Sequence, residues 1–200
     1  MRLTLVDRED PVLRQVARPV PDAGSKRVRE LAQALDELRI ESGGMGLAAP
    51  QAGISERIII VEVPEDDWVG YPEVPAFPAT VLLNPEIVWE SEEFVKLPEA
   101  CLSLPGLMGN VIRPSAITVQ ALDLEGDRVT IHADRWLARV LQHEIDHLDG
   151  VLYVDRVEDP HELWYVERVD VNDPVWSRNP QVLRLREELR RQQPAEPRMA

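Results

Sequence analysis

QHEIDH, at residues 142–147, is the stretch of sequence on which the fold of this chain depends. Residues four apart lie on one face of a helix, so His143 and His147 can direct two imidazoles at one metal ion, with Glu144 beside them. The pattern H-E-x-x-H is typical of metal-assisted hydrolysis in which the glutamate is the general base. The helix is also rich in apolar residues, and a buried helix that carries such polar groups needs partners for them.

A catalytic metal needs a third protein ligand and an open position for water. Cys101, the only cysteine of the chain, is one candidate, although a lone cysteine is more often an inert buried residue. A downstream glutamate is the alternative, and three are available: Glu158, Glu162 and Glu167. Taken by itself, the helix leaves the choice between cysteine and glutamate open.

Length and composition narrow the class of protein. The chain has 200 residues, enough for one ordinary domain with a sizeable core. Its formal net charge of -14 argues against a nucleic-acid-binding surface. It has no apolar run near the roughly 20 residues that span a bilayer, and its N-terminus has early acidic residues and no secretory signal. With a single cysteine, these features favour a protein of the reducing cytoplasm.

Apolar periodicity predicts the main elements. A helix with one buried stripe is expected over residues 26–40, ending in a loop at 42–46. Strands are expected at 57–63, at 81–88, as a hairpin of 117–122 with 129–132, and at 151–157. The second of these strands is interrupted by Asn84-Pro85, which predicts either an edge position or a bulge.

The connections follow from turn residues. Residues 64–79 are proline-rich and predict a surface loop, and Pro105-Gly106 predicts a turn. Asp134 is expected to cap a helix that begins near Arg135, and Gly150 to terminate it. We expect a catalytic domain over 1–180, followed by a C-terminal helix and partly disordered tail over 181–200.

Three motifs occur in order along the chain: GMGLAAPQ at 44–51, EACLS at 99–103 and QHEIDH at 142–147. They resemble those of peptide deformylase, which run G-x-G-L-A-A-x-Q, E-G-C-x-S and Q-H-E-x-D-H. The first and third match fully, and the second departs at Ala100, where the family usually has glycine. The resemblance extends from Asp10 to about Asp155, roughly three-quarters of the chain.

The resemblance implies a single α+β domain, with antiparallel strands packed around a central metal-binding H-E-x-x-H helix. It implies a hydrolase that removes the N-formyl group from the formyl-methionine of newly made proteins and releases formate. Cys101, His143 and His147 would hold one divalent metal, a donor set that suits zinc or iron. The family implies Fe(II), with zinc, nickel or cobalt able to occupy the site.

The chemistry expected at such a site gives roles to further residues in and near the motifs. Glu144 is expected to take a proton from water and give it to the leaving amine. The side chain of Gln51 and the backbone N–H of Leu102 are candidate donors to the developing oxyanion. Gly46 allows a peptide backbone to approach, while three residues are candidate walls of a methionine pocket: Met45, Leu102 and Val140. Glu99 and Asp146 are candidates for orienting the metal ligands.

Two rival hypotheses remain at this point. A zinc endopeptidase would use His143, His147 and a downstream glutamate, and would not need Cys101. A non-catalytic binding protein would need a missing ligand or base, and none is missing. The expected partners are formyl-methionyl nascent peptides. The arginine-rich tail suggests ribosome docking as a further possibility, with a solvated terminal helix as its alternative.

Overall fold

The computed structural model describes residues 2–64 and 75–166. Within them lie two α helices, eight strands and four short 3-10 helices. The α helices are α1 (Lys26–Ser42) and α2 (Arg135–Leu148). The strands are β1 (Gly46–Ala48), β2 (Ile58–Val63), β3 (Phe77–Glu90), β4 (Phe94–Cys101), β5 (Leu104–Pro114), β6 (Ala116–Leu122), β7 (Arg128–Asp134) and β8 (Leu163–Tyr165). The 3-10 helices are Pro11–Arg14, Ala49–Ala52, Tyr153–Arg156 and Pro160–Glu162.

The strands form two antiparallel sheets. The larger sheet has the order β1-β2-β3-β6-β7, and the smaller has the order β4-β5-β8. The predicted single α+β domain with antiparallel strands is confirmed. Helix α2, which carries the H-E-x-x-H motif, comes near the C-terminal end of the described residues rather than in the middle of the chain. Its apolar side chains share a core cluster with residues of the larger sheet.

Helix α1 forms where periodicity predicts it, and it extends to Ser42. Ser25 accepts a hydrogen bond from the N–H of Val28 and caps the first turn. The apolar stripe packs on β1 and β2, in a second core cluster that holds Val28, Leu31, Leu35, Leu38, Leu47, Ile58 and Ile60. Gly43 ends the helix with a φ of 70°, a conformation that glycine adopts without strain.

Strand β3 contains the predicted irregularity at Asn84. The pairing with β6 shifts register between Leu83 and Glu86, and Asn84 has a φ of 51°. Because β3 pairs with both β2 and β6, it is an interior strand. The bulge alternative is therefore correct and the edge alternative is wrong. The Asn84 side chain binds the backbone of Val20 twice, accepting from its N–H at 2.7 Å and donating to its carbonyl at 2.9 Å.

Two local predictions are wrong. Pro105 and Gly106 lie inside β5, and the reversal between β4 and β5 occurs earlier, where Cys101 pairs with Leu104. Residues 151–157 form no strand, because Tyr153–Arg156 is a 3-10 helix. The Asp155 carboxylate accepts a hydrogen bond from the N–H of Leu152 at 2.8 Å and thereby closes that turn.

The boundaries of α2 match the prediction, but its capping does not. The helix begins at Arg135, although the Asp134 side chain makes no capping hydrogen bond, because β7 continues to Asp134. Gly150 follows the helix with a φ of 74° and ends it. In the predicted loop, β3 already begins at Phe77, and residues 65–74 lie outside the described part of the chain, as do Glu167 and the predicted tail.

Candidate metal and catalytic site

Cys101, His143 and His147 come together between the smaller sheet and α2. Cys101 is the last residue of β4, and the two histidines lie one turn apart on α2. The Cys101 Sγ and His147 Nε2 atoms are 3.2 Å apart, and one donor atom from each of the three residues lies within 4.8 Å of the others. Since strand and helix are distant in sequence, only the tertiary fold creates this cluster.

Of the alternative glutamate ligands, the two that lie within the described residues are not at this site. Glu162 binds Lys96 Nζ at 2.6 Å on the smaller sheet, and Glu158 is exposed. The metal-capable cluster found in the described residues therefore contains the cysteine predicted as third ligand. Thiolate with two imidazoles is a donor set that fits zinc or iron, with room in a four-coordinate site for water.

The pKa values of the Cys101 thiol and the His143 imidazole are shifted in the directions that favour a thiolate beside a positive charge. Burial alone would raise the pKa of the Cys101 thiol, but His147 and His143 hold it well below its usual value. Burial alone would lower the pKa of His143, but Cys101 and Glu99 hold it well above its usual value. A thiolate is therefore available as a ligand, and a divalent cation would supply the positive charge that these groups favour.

Glu99 fixes the orientation of His143. Its Oε2 atom lies 2.9 Å from His143 Nδ1, which leaves Nε2 of that ring for a metal. Arg113 binds both carboxylate oxygens, at 2.5 and 2.9 Å. Burial alone would raise the pKa of Glu99, but the hydrogen bonds from Arg113 and His143 hold it well below its usual range. A buried, ionised carboxylate thus supports one of the predicted ligands.

Glu144 is buried directly against Gly46 of β1. A Cβ atom at Gly46 would lie 2.3 Å from Glu144 Oε1, so only glycine leaves this space. Glu144 Oε2 is buried and has no hydrogen-bond partner among the described residues. Burial raises the pKa of Glu144 to about 7, which suits a group that must take up and release a proton near neutrality.

Gln51 points its amide toward Cys101. Its Oε1 atom accepts a hydrogen bond from the backbone N–H of Ala48 at 2.8 Å, and a backbone N–H can only donate. The NH2 group therefore faces the other way, 3.5 Å from Cys101 Sγ and 3.2 Å from Ser103 Oγ. Leu102 follows Cys101 directly in the turn between β4 and β5, and the next residue, Ser103, donates its backbone N–H to Cys101 Sγ at 3.4 Å.

The predicted pocket residues lie in two core clusters. Val140 and the half-buried Met45 belong to the cluster of α2, and Trp136 donates its indole N–H to Met45 Sδ at 3.1 Å. Leu102 belongs to the cluster of α1, where its side chain is close to Gly44. Trp136, Val140 and Glu144 are spaced four apart on α2, so they share one face of that helix.

Several residues that support the site are not predicted from the sequence. Arg113 and Arg139 both bind Glu99, Ser103 binds Gln51, and the Tyr153 ring stacks on His143 with centroids 6.1 Å apart. Asp146, predicted to orient a ligand, binds Arg113 at 2.8 Å and so reaches Glu99 through that arginine. Ser103 lies within a motif and could have been found. The others have no signal in the sequence, because their partners are on distant elements.

The family model for polypeptide deformylase matches residues 3–162. The chain belongs to the polypeptide deformylase family. A peptide deformylase from Natranaerobius thermophilus is 45% identical over 151 residues, which cover 76% of this chain and 89% of the relative. One from Thermomicrobium roseum is 47% identical over 165 residues, covering 82% and 90%. Deformylases are metal-dependent hydrolases that remove the N-formyl group from nascent peptides, and this chain carries a matching metal-capable cluster.

Solved deformylase structures have the same fold. The class I type b peptide deformylase from Acinetobacter baumannii, bound to Met-Ala-Ser, aligns with a TM-score of 0.72 at 38% identity, covering 78% of this chain and 99% of that one. The peptide deformylase from Thermotoga maritima aligns with a TM-score of 0.71 at 31% identity, covering 80% and 99%. In the described residues, no helix has the length and apolar character needed to cross a membrane.

Proposed function

We propose that this deformylase hydrolyses formyl-methionyl peptides with Cys101, His143 and His147 as metal ligands and Glu144 as the proton carrier. The observation that carries the proposal is the convergence of a thiolate and two imidazoles beside a buried carboxylate whose pKa is raised to about 7. When bound, a divalent cation supplies Lewis acidity that polarises the formyl oxygen and lowers the pKa of water.

The protein groups carry the proton and orient the reacting amide. Glu144 accepts the proton from the water that attacks the formyl carbon, and it gives that proton to the nitrogen as the C–N bond breaks. The products are formate and a free amino terminus. The NH2 group of Gln51, held in place by Ala48, and the N–H of Leu102 donate to the oxygen that becomes negative in the transition state.

The proposal extends to the substrate and to the arrangement of the chain. Met45, Val140 and Leu102 form the pocket for the methionine side chain, with Gly46 beside the peptide backbone. The peptide Met-Ala-Ser bound by the Acinetobacter protein supports a substrate that begins with methionine. Residues 1–180 form the catalytic domain, with α2 as the element around which the metal site is built. The setting is the cytoplasm, where formylated nascent chains emerge from ribosomes.

A formate-release assay tests the function. The purified chain is incubated with formyl-Met-Ala-Ser and, as the matched control, with acetyl-Met-Ala-Ser. We expect formate from the first peptide and no comparable hydrolysis of the second, because a larger acyl group does not fit close to the ligands. Cleavage of internal peptide bonds without formate would favour the endopeptidase. No turnover of either peptide at full metal occupancy would favour the binding protein.

Cys101→Ser tests the ligand set. A serine hydroxyl is a poor ligand at neutral pH, so the variant is expected to bind metal weakly and to lose most formate release. Bound metal and turnover are measured on the same sample. Full occupancy with near-normal turnover would reject Cys101 as a ligand.

We propose Fe(II) as the native metal, because membership of the deformylase family implies it. A thiolate ligand beside Fe(II) makes the site sensitive to oxidation. Purification in air is therefore expected to reduce activity, and anaerobic addition of Fe(II) to restore it. A zinc-loaded protein that is equally active after prolonged aeration would contradict this choice of metal.

A further inference from the structure

Arg139 is a buried arginine on α2, one turn before His143, with 5% of its surface exposed. Its Nη1 atom donates to Glu99 Oε1 at 2.5 Å and to the carbonyl of Val111 at 3.2 Å. Its Nη2 atom donates to the carbonyl of Val95 at 2.7 Å. Burying a guanidinium is costly unless its N–H groups have hydrogen-bond acceptors. The contacts with Glu99, Val111 and Val95 supply such acceptors and hold the side chain in one position. All three join α2 to the β4–β5 hairpin.

The hairpin and the helix each carry part of the ligand set. β4 ends at Cys101, whereas His143 and His147 lie on α2. Their donor atoms fall within 4.8 Å of one another only if hairpin and helix keep a fixed distance and rotation. Arg139 binds the hairpin on both of its strands, at Val95 of β4 and at Val111 of β5. It is therefore placed to fix this relation.

Arg139 also reaches the ligand set through Glu99. That carboxylate holds His143 through Nδ1, and Arg139 binds its other oxygen. Arg113 contacts both oxygens of Glu99 as well, so the charge of Glu99 remains balanced if Arg139 is removed. Loss of Arg139 therefore removes a positional restraint while the carboxylate stays paired.

We propose that Arg139 is a positioning residue for the metal site, holding the β4–β5 hairpin against α2 and Glu99 against His143. It acts through other residues and does not touch the metal. The inference rests on the proposed ligand set of Cys101, His143 and His147. Its consequence is that metal affinity depends on a residue outside the three sequence motifs.

The test measures zinc affinity of the full chain by competition with a chromophoric chelator. In Arg139→Met we expect affinity to fall about 10–100-fold, the range found when outer partners of metal ligands are removed. Arg139→Lys keeps the charge but not the planar fork, so it is expected to show a smaller loss in the same direction. The absorption spectrum of the cobalt-substituted protein should change in Arg139→Met, because the ligand geometry is less restrained.

Arg39→Met is the matched control. Arg39 is also a buried arginine on a helix, and it ties α1 to β2 by binding Glu62 at 2.7 Å, with further contacts to Asp36 and to the carbonyl of Gly44. These contacts lie on α1, on β2 and in the loop after α1, so the loss of Arg39 is expected to lower unfolding stability without changing zinc affinity or the cobalt spectrum.

Zinc affinity in Arg139→Met equal to that of the parent would overturn the proposal. So would equal losses of affinity in Arg139→Met and Arg39→Met, because a general loss of stability would then explain both. If Arg139→Met does not fold, Arg139→Lys decides, and parental affinity in that variant also rejects the proposal. A parent that binds zinc through Cys101 but releases no formate would reject the proposed function, and the result for Arg139 would still stand.

Discussion

The contact between Gly46 and Glu144 makes a glycine at residue 46 necessary for the present position of the Glu144 carboxylate. The space that a side chain would occupy at Gly46 is filled by the Glu144 carboxylate. A methyl group there has to displace either the carboxylate or the edge strand β1. The prediction that Gly46 receives the peptide backbone stays a prediction, but the glycine already has a structural reason.

Gly46→Ala is therefore expected to reduce kcat by at least about tenfold while leaving bound metal unchanged, because it shifts the proton carrier and not the ligands. Gly24→Ala is the matched control, since a Cβ there would have only Glu125 O nearby, at 3.8 Å. Turnover and metal content are measured on both variants. Parental turnover in Gly46→Ala would mean that Glu144 need not occupy its present position.

Glu144→Gln keeps the shape of the side chain but cannot take up a proton. We expect it to retain metal, to bind formyl-Met peptide with similar affinity and to lose turnover by about 10²–10⁴-fold. Turnover within about threefold of the parent would be too small a loss for a proton carrier and would reject this role.

The dependence of kcat/KM on pH in the parent should report the ionisation of Glu144. Burial raises the pKa of Glu144 to about 7, whereas a bound cation lowers it, so the acid limb of kcat/KM should lie above the ordinary carboxyl value of 4.5 and no higher than about 7. Activity falls as pH drops, because the base becomes protonated. Metal content is measured at each pH, and a flat profile down to pH 4.5 with metal retained would contradict the assignment.

Some residues of the site can be predicted from the local sequence, and others cannot because their partners lie on distant elements. His143, Glu144 and His147 follow from helix periodicity, and Cys101 from the order of three motifs. Arg113 and Arg139 could not be predicted, because each finds its carboxylate across the core, and a charged residue in a helix or strand is usually exposed.

At the level of elements, Asn84 interrupts the regular pairing of β3 with a bulge. It holds the bulge of β3 in a left-handed conformation and binds both backbone groups of Val20. Asn84→Ala loses both hydrogen bonds and keeps the strain, so we expect a loss of about 2–3 kcal/mol in the free energy of unfolding. Asn84→Gly relieves the strain and should lose about 1 kcal/mol less.

Urea unfolding of the two variants measures this difference. Asn110→Ala on β5 is the control and is expected to change stability by less than about 0.5 kcal/mol. Equal losses for alanine and glycine at residue 84 would show that the φ of 51° carries no strain.

The type of an element, helix or strand, can be predicted from the sequence where its apolar pattern extends over many residues. The run Ile58–Val63 and the stripe of α1 are unambiguous in period and composition. The error at residues 151–157 has a different origin, since Val151, Leu152 and Val154 favour a strand locally. The side chain of Asp155 closes a 3-10 turn there and forms an ion pair with Arg14 of the N-terminal segment. That contact between distant segments cannot be read from the local pattern.

For the whole molecule, the assigned site residues lie well before the tail. Deletion of residues 181–200 is therefore expected to leave deformylation of short peptides nearly unchanged. If the arginine-rich tail docks on the ribosome, activity on ribosome-bound nascent chains should fall selectively. Turnover on free formyl-Met-Ala-Ser and on stalled ribosome complexes is compared, and an equal loss on both would show that the tail supports the catalytic domain.

Placing one ligand at the end of β4 and two on α2 gives a bound ion a second effect, because it cross-links elements that are distant in sequence. A ligand that binds only the folded state stabilises it by about 2.7 kcal/mol at 100 times its Kd. Chelation should therefore lower the Tm, and graded zinc should raise it with the logarithm of free metal. A Tm independent of metal would mean that the ion does not bind the folded state in preference to the unfolded chain, and would count against this ligand set. If the Tm depends on metal in this way, the supply of metal in the cell determines how much of this protein escapes proteolysis, in addition to the fraction of molecules that are active.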